Sequence, residues 1–227
     1  AGNEITATPT SASGSIIIDN MAPTAVFSAA TDDVGLVMGV LTSGDSTDDT
    51  ALVLSGTNES GSSVKVYNGS TELDDATVSS TSWSYSATVV DGTTYQFQVK
   101  ETDAAGNISP ATSNFTVTGD TSAPSTTTGL VATPGNTQSV LIWTANSESD
   151  FASYKVYGGT SASPTTLLSN VSAGTETYTH TGLTNGTIYY YSISATDNAG
   201  NEIAVFVPED ISNPGDTVVA SSDNSPG

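Results

Sequence analysis

The sequence predicts an all-β protein built as two Greek-key β-sandwiches in tandem, and three observations predict it. Short β-branched or aromatic runs recur along the chain between Gly, Asn, Asp and Ser turns, and nothing reads as a helix. A phrase repeats: "GTTY" at 92–95 leads to Asp103, Gly106 and Asn107, while "GTIY" at 186–189 leads to Asp197, Gly200 and Asn201, each position 94 residues further on. The length of 227 residues accommodates two domains of about 100 residues each. A unit of that size made of about seven short strands is a Greek-key sandwich.

The elements follow in order. Residues 1–18 read as the terminal strand of a preceding unit or as a donated strand, because "AGN" followed by Asp-x-x-Ala-Pro occurs from Asn3 to Asp19 and again from Asn107 to Asp120. On this reading the chain begins partway through an array. Residues 19–119 form the first complete unit, with strands at "SVKVY" 63–67, "WSYSATV" 83–89, "TYQFQVK" 94–100 and "FTV" 115–117. In "TYQFQVK", Tyr95, Phe97 and Val99 alternate with Gln96, Gln98 and Lys100, so one face meets a core and the other meets water. Residues 120–208 form the second unit, with strands at "SVLIW" 139–143, "YKVY" 154–157 and "YYYSISA" 189–195; residues 209–227 are expected to be a linker or the start of a further unit. "DNMAP" 19–23 and "DTSAP" 120–124 mark the junctions, where Pro stiffens the chain and removes an amide.

Charge narrows the function. There are 24 acidic residues against three lysines, no arginine and no cysteine, giving a formal net charge of −21. Nucleic acid is excluded as a partner, since phosphate binding needs clustered Lys and Arg, and an anionic membrane would repel the chain. No stretch reaches the ~20 apolar residues of a membrane helix, and no basic region precedes an apolar run as in a secretion signal. No enzyme is visible. The single histidine, His180, shares a face with Tyr178 and reads as a half-buried packing residue, no cysteine is available as nucleophile, and no glycine-rich phosphate loop opens a helix.

Residues 24–119, with "DDVG" 32–35, "TSGDSTDDT" 42–50, "WSYSATVVDGTTY" 83–95 and "TDAAGN" 102–107, resemble the bacterial immunoglobulin-like repeats of giant surface adhesins. Residues 125–208 resemble a fibronectin type III domain. Trp143 matches its strand-B tryptophan, Tyr154 and Val156 its strand-C pair, and "LTNGTIYYYSISA" 183–195 its L-x-x-G-T-x-Y pattern, with Asn185 where a proline is familiar. The resemblance makes Tyr189 the tyrosine-corner residue.

The carboxylates are the candidate site. In an immunoglobulin-like sandwich Asp19, Glu59 and Asp103, with Asn107, gather at the upper pole of the first unit. Asp45, Asp48 and Asp49 gather at its lower pole, facing Asp120, Asp150 and Asp197 of the second unit; Asp32 and Asp33 are further acidic candidates. Like charges brought together need a neutraliser, and without Lys or Arg nearby a hard divalent cation suits. Calcium accepts Asp, Glu, Asn and carbonyl oxygens in flexible geometry, and the resemblance likewise implies calcium at domain junctions. The expected metal ligands are Asp19, Asp33, Asp48, Asp49, Glu59, Asp103, Asn107, Asp120 and Asp197, with solvated Asx-turns as the other reading.

The expected function is structural: a calcium-rigidified extender in an extracellular bacterial adhesin, holding a distal binding domain away from the cell, with neighbouring domains or subunits as partners. Two alternatives stand beside it. One is a filament subunit that donates residues 1–18 as a strand, "GSIIIDN" 14–20 being the inserted run. The other is an accessory module of a secreted glycosidase, which would need a row of exposed aromatics for binding.

Overall fold

The structure is a computed structural model that describes residues 18–203 and, as backbone, the strand Val218–Ser221. The segment 1–17, on which the donated-strand reading rests, lies outside the described residues.

The first unit contains β1 (Val26–Asp32), β2 (Gly39–Val40), β3 (Ser46–Thr47), β4 (Ala51–Thr57), β5 (Ser63–Asn68), β6 (Thr71–Asp75), β7 (Thr77–Ser79), β8 (Ser82–Thr88), β9 (Thr94–Thr102) and β10 (Phe115–Gly119). They form two five-stranded sheets, in the orders β2-β1-β4-β8-β7 and β3-β10-β9-β5-β6. The alternating strands bury what their period demands: Leu52 and Leu54 of β4, Val64 and Val66 of β5, and Phe97 and Val99 of β9. Trp83 closes the core, its indole N–H donating to the Val26 carbonyl at 3.0 Å and its ring edge-on to Phe27.

The second unit contains β11 (Val131–Gly135), β12 (Gln138–Ile142), β13 (Phe151–Gly159), β14 (Leu167–Ser172), β15 (Thr177–Thr181), β16 (Ile188–Asp197) and β17 (Val218–Ser221). Its sheets run β11-β12-β15 and β14-β13-β16-β17, and among the described residues no sheet combines strands from both sides of Asp120. Trp143, Leu141, Tyr154, Val156 and Tyr191 fill the core. One boundary moves. Residues 209–227 were expected to be a linker or a new unit, yet Val218–Ser221 pairs antiparallel with Ile188–Tyr191 and closes the second sandwich. Without it the side of β16 from Ile188 to Tyr191 that faces away from β13 would carry unpaired backbone groups.

The repeat recurs as geometry. The Tyr95 hydroxyl accepts a hydrogen bond from the Val90 N–H at 3.1 Å, and the Tyr189 hydroxyl accepts one from the Thr184 N–H at 3.2 Å. Both units therefore carry a tyrosine corner. His180 is half-buried, its Nδ1 3.1 Å from the Tyr191 hydroxyl and its ring edge-on to Tyr189 and Tyr191. Burial holds its pKa below the usual histidine value.

Candidate functional site

The site is the junction between the sandwiches, and the short strand β3 creates it. β3 pairs parallel with the end of β10, Ser46 beside Thr118 and Thr47 beside Gly119. That pairing lays the acidic segment 45–49 against the chain as it leaves the first unit. Thr118 N–H donates to the Asp45 carbonyl at 3.0 Å, and Asp120 N–H donates to the Thr47 carbonyl at 2.8 Å. The linker is then held again: Thr121 N–H donates to Asp91 Oδ1 at 2.7 Å and Ser122 Oγ to Asp91 Oδ2 at 3.0 Å. These donors, the Thr121 N–H first, hold the Asp91 carboxyl below its usual range.

From the second unit, Asn201 Nδ2 donates to the Asp120 carbonyl at 2.8 Å and to Asp197 Oδ2 at 2.9 Å. Asp197 Oδ1 accepts from the Gly200 and Asn201 N–H groups at 2.8 and 2.9 Å. Further along, Ser125 N–H donates to Glu148 Oε1 at 2.7 Å, and the Ser125 donors pull the Glu148 carboxyl down to about 2. Linker residues from Asp120 to Ser125 are thus bonded to both sandwiches.

Of the expected ligands, Asp48, Asp120 and Asp197 lie near one another at the junction with Asp49 beside Asp48, and Asp48 Oδ1 and Asp49 Oδ2 are buried without a hydrogen-bond partner. Burial raises the Asp48 carboxyl above its usual range, and the charges of Asp32, Asp197 and Asp49 push it further the same way. Burial likewise raises Asp120, with Asp197, Asp150 and Asp91 adding to it. Orphaned carboxylate oxygens, an all-oxygen donor set and mutual repulsion suit a hard cation. Yet among the described residues no three His, Cys, Asp or Glu side chains converge closely enough to hold a metal by themselves.

Asp33 is exposed, and its neighbour Asp32 is buried instead. The cause is a β-bulge in β1 between Phe27 and Ala29. It shifts the inward set from Phe27 to Ala30 and Asp32, where strict alternation would have reached Asp33. Asp32 Oδ2 accepts from the Thr47 hydroxyl at 2.5 Å and Oδ1 from the Val34 N–H at 3.0 Å, so it braces β3.

At the upper pole, Asn107 Nδ2 donates to the Asp19 carbonyl at 3.2 Å and to Asp103 Oδ2 at 2.8 Å. The Asn107 side chain, then the N–H groups of Asn107, Ala105 and Gly106, hold the Asp103 carboxyl below its usual range. Asp19 and Glu59 line one surface depression. Beneath it lies a residue not among the expected ligands, Glu101, 0% exposed; its Oε1 accepts from Glu59 N–H and Ser62 Oγ, both at 2.5 Å, and its Oε2 has no partner. The alternation of Tyr95, Phe97 and Val99 continued two residues on would have found it.

The arrangement defines a tandem of β-sandwiches joined at a built junction. Residues 21–121 match the family described as bacterial Ig-like domain. The unit that follows has the fold of a fibronectin type III-like module. The fibronectin(III)-like modules of Clostridium thermocellum CbhA superpose with a TM-score of 0.53 at 12% identity, over 80% of this chain and 90% of theirs. The FN1–FN3 domains of chicken CNTN1 superpose with a TM-score of 0.50 at 13% identity, over 86% of this chain and 66% of theirs. In sequence, the chain is 37% identical to chitinase A1 of Niallia circulans over 138 residues, 55% of this chain and 19% of that protein. It is 40% identical to exoglucanase B of Cellulomonas fimi over 120 residues, 48% of this chain and 10% of that enzyme. The chain therefore spans no more than about a fifth of these relatives.

Proposed function

We propose that this chain is a non-catalytic spacer of a secreted modular protein, in which two sandwiches joined end to end set the distance and orientation between other domains. The observation that carries the reading is the linker. Asp120 gives its N–H to Thr47 of the first unit and its carbonyl to Asn201 of the second, so one peptide is gripped from both sides. Tandem domains default to relative motion over small interfaces, and a gripped linker opposes that. The relatives, a chitinase and exoglucanases, favour a carbohydrate-active enzyme as host over the surface adhesin expected from the resemblance. Within such a host the role is spacing rather than sugar binding: among the described residues every Phe, Tyr and Trp is buried or half-buried, which leaves no aromatic platform.

Calcium belongs to this proposal. The ion would sit among Asp48, Asp49, Asp120 and Asp197, offsetting their burial and the repulsion that adds to it in raising Asp48 and Asp120. Because no closed cage of side chains exists among the described residues, backbone carbonyls and water would complete its shell. Small-angle scattering of the chain in calcium and in EDTA tests both parts. The expected result is an extended particle in each, with a narrower distribution of shapes in calcium and a higher melting temperature, by ligand linkage. A bent, broad distribution in both conditions would exclude the spacer, whereas identical profiles and melts would exclude only the ion. Depletion of the chain from solution by insoluble cellulose or chitin would make it a binding module instead.

A further inference from the structure

The two Asp-x-Ala-Gly-Asn loops offer an internal comparison. In the second unit Ala199 is 0% exposed and Gly200 is buried, and the first unit reaches Gly200. A Cβ placed on Gly200 would lie 2.9 Å from the Val37 backbone nitrogen and 3.2 Å from its side chain. Val37 belongs to the loop 34–40, which carries the exposed apolar residues Val34, Leu36, Val37, Met38 and Val40. In the first unit the equivalent Ala105 and Gly106 are exposed, and a Cβ on Gly106 would meet nothing within 4 Å. The two loops are closed by the same Asp–Asn hydrogen bonds, with similar φ at the glycine, and in each the Asn side chain reaches the linker aspartate. The surroundings of the open one are more apolar. Met21 is 78% and Ile108 61% exposed, whereas Ser122 and Glu202 occupy the matching positions of the second unit. An apolar rim on a chain with 24 acidic residues is a surface that water does not favour.

We propose that the pole of the first unit formed by Met21, Ala105, Gly106 and Ile108 is a socket for the apolar 34–40 loop of another bacterial Ig-like unit placed before it. The occupant is a copy of the unit itself, because this chain already shows that loop seated on the same backbone. The proposal rests on the spacer reading, which it extends from one junction to an array.

The test is a chain in which a second copy of residues 19–119 replaces residues 1–18, so that Gly119 of the copy precedes Asp19 as Gly119 precedes Asp120 in the parent. Amide hydrogen exchange is followed at Ala105 and Gly106, with Ala199 and Gly200 as reference. Exchange at Ala105 and Gly106 should be at least about tenfold slower in the extended chain than in the parent. Val37→Asp in the leading copy alone should restore the parent rate, while protection in that copy's β4 and β8 shows that it remains folded. Equal rates in parent and extended chains overturn the socket, as does slowing that survives Val37→Asp. If Ala199 and Gly200 stay protected in those cases, the spacer reading stands; if they also exchange freely, it falls too.

Discussion

The loop 103–107 of the first unit and the loop 197–201 of the second share the hydrogen bonds that close them, Asn N–H to Asp Oδ1 and Asp N–H to the Asn carbonyl. Asp103 N–H donates to the Asn107 carbonyl at 3.1 Å, and Asp197 N–H donates to the Asn201 carbonyl at 3.1 Å. An isolated bridge follows each, Thr102 with Ile108 and Thr196 with Glu202. Their environments differ. Asp103 is bonded by local donors and its acidity rises, while Asp197 is 2% exposed among the carboxylates of another unit, where it raises the pKa of Asp48 and Asp120. The comparison teaches that local sequence sets a loop's conformation and that its electrostatics belong to whatever packs on it.

Glycine substitution breaks the comparison most strongly. Gly106 has φ of 91° and Gly200 of 98°, so alanine at either costs about 1–2 kcal/mol of backbone strain. At Gly200 the added methyl also meets the Val37 backbone, for roughly another 1–3 kcal/mol of overpacking. Denaturant unfolding should therefore show Gly200→Ala as clearly more destabilising, and Gly200→Ala alone should speed exchange at Ala199. Equal losses would mean that Val37 does not press on the loop.

Removing the asparagine amides should have a smaller effect. Asn201→Ala leaves the Asp120 carbonyl and Asp197 Oδ2 without their donor, at a cost of about 1–2 kcal/mol. Asn107→Ala removes the matching bonds at a more exposed pole and should cost about 0.5–1 kcal/mol, since water can replace the lost donor. Thermal melts of the two variants check the order.

The smallest effect is a difference of sign with pH. Asp48 and Asp120 have folded pKa values raised above 3.8, so near and above that pH the folded chain binds more protons than the unfolded one. Their contribution to stability is therefore greatest at low pH and declines as pH rises through the raised values. Asp103 and Asp91 are lowered, so their contribution is present above 3.8 and lost as pH falls through their folded values. Acidification from neutrality toward 3.8 should strengthen the junction amides at Gly200 and leave those at Gly106 unchanged until below it. Replacing Asp48 by Asn should abolish the gain at Gly200.

Much of this was legible in the sequence. Strict alternation placed Phe97 and Val99 in the core, the resemblance placed the tyrosine corner at Tyr189, and the 94-residue repeat matched the two Asp-Asn loops; the second corner, at Tyr95, came from the structure. Where alternation was interrupted, legibility ended. The bulge in β1 exchanged Asp32 for Asp33, and nothing in "VFSAATDD" marks it. The parallel pairing of Ser46–Thr47 with Thr118–Gly119 is a contact across 72 residues, and it is what turns scattered aspartates into a junction. Spacing along the chain carries no sign of it. Val218–Ser221 was missed for the opposite reason: its β-branched signal is present, but it lies far along the chain from the strand it pairs with.

The central claim is that the two sandwiches are held in one relation by a linker bonded from both sides. Backbone residual dipolar couplings from β4, β8 and β9 of the first unit and from β13 and β16 of the second, measured in one aligned sample, test it most directly. The account predicts that a single alignment tensor fits both sets. Two tensors of clearly different magnitude would show sandwiches that tumble apart, and would contradict it.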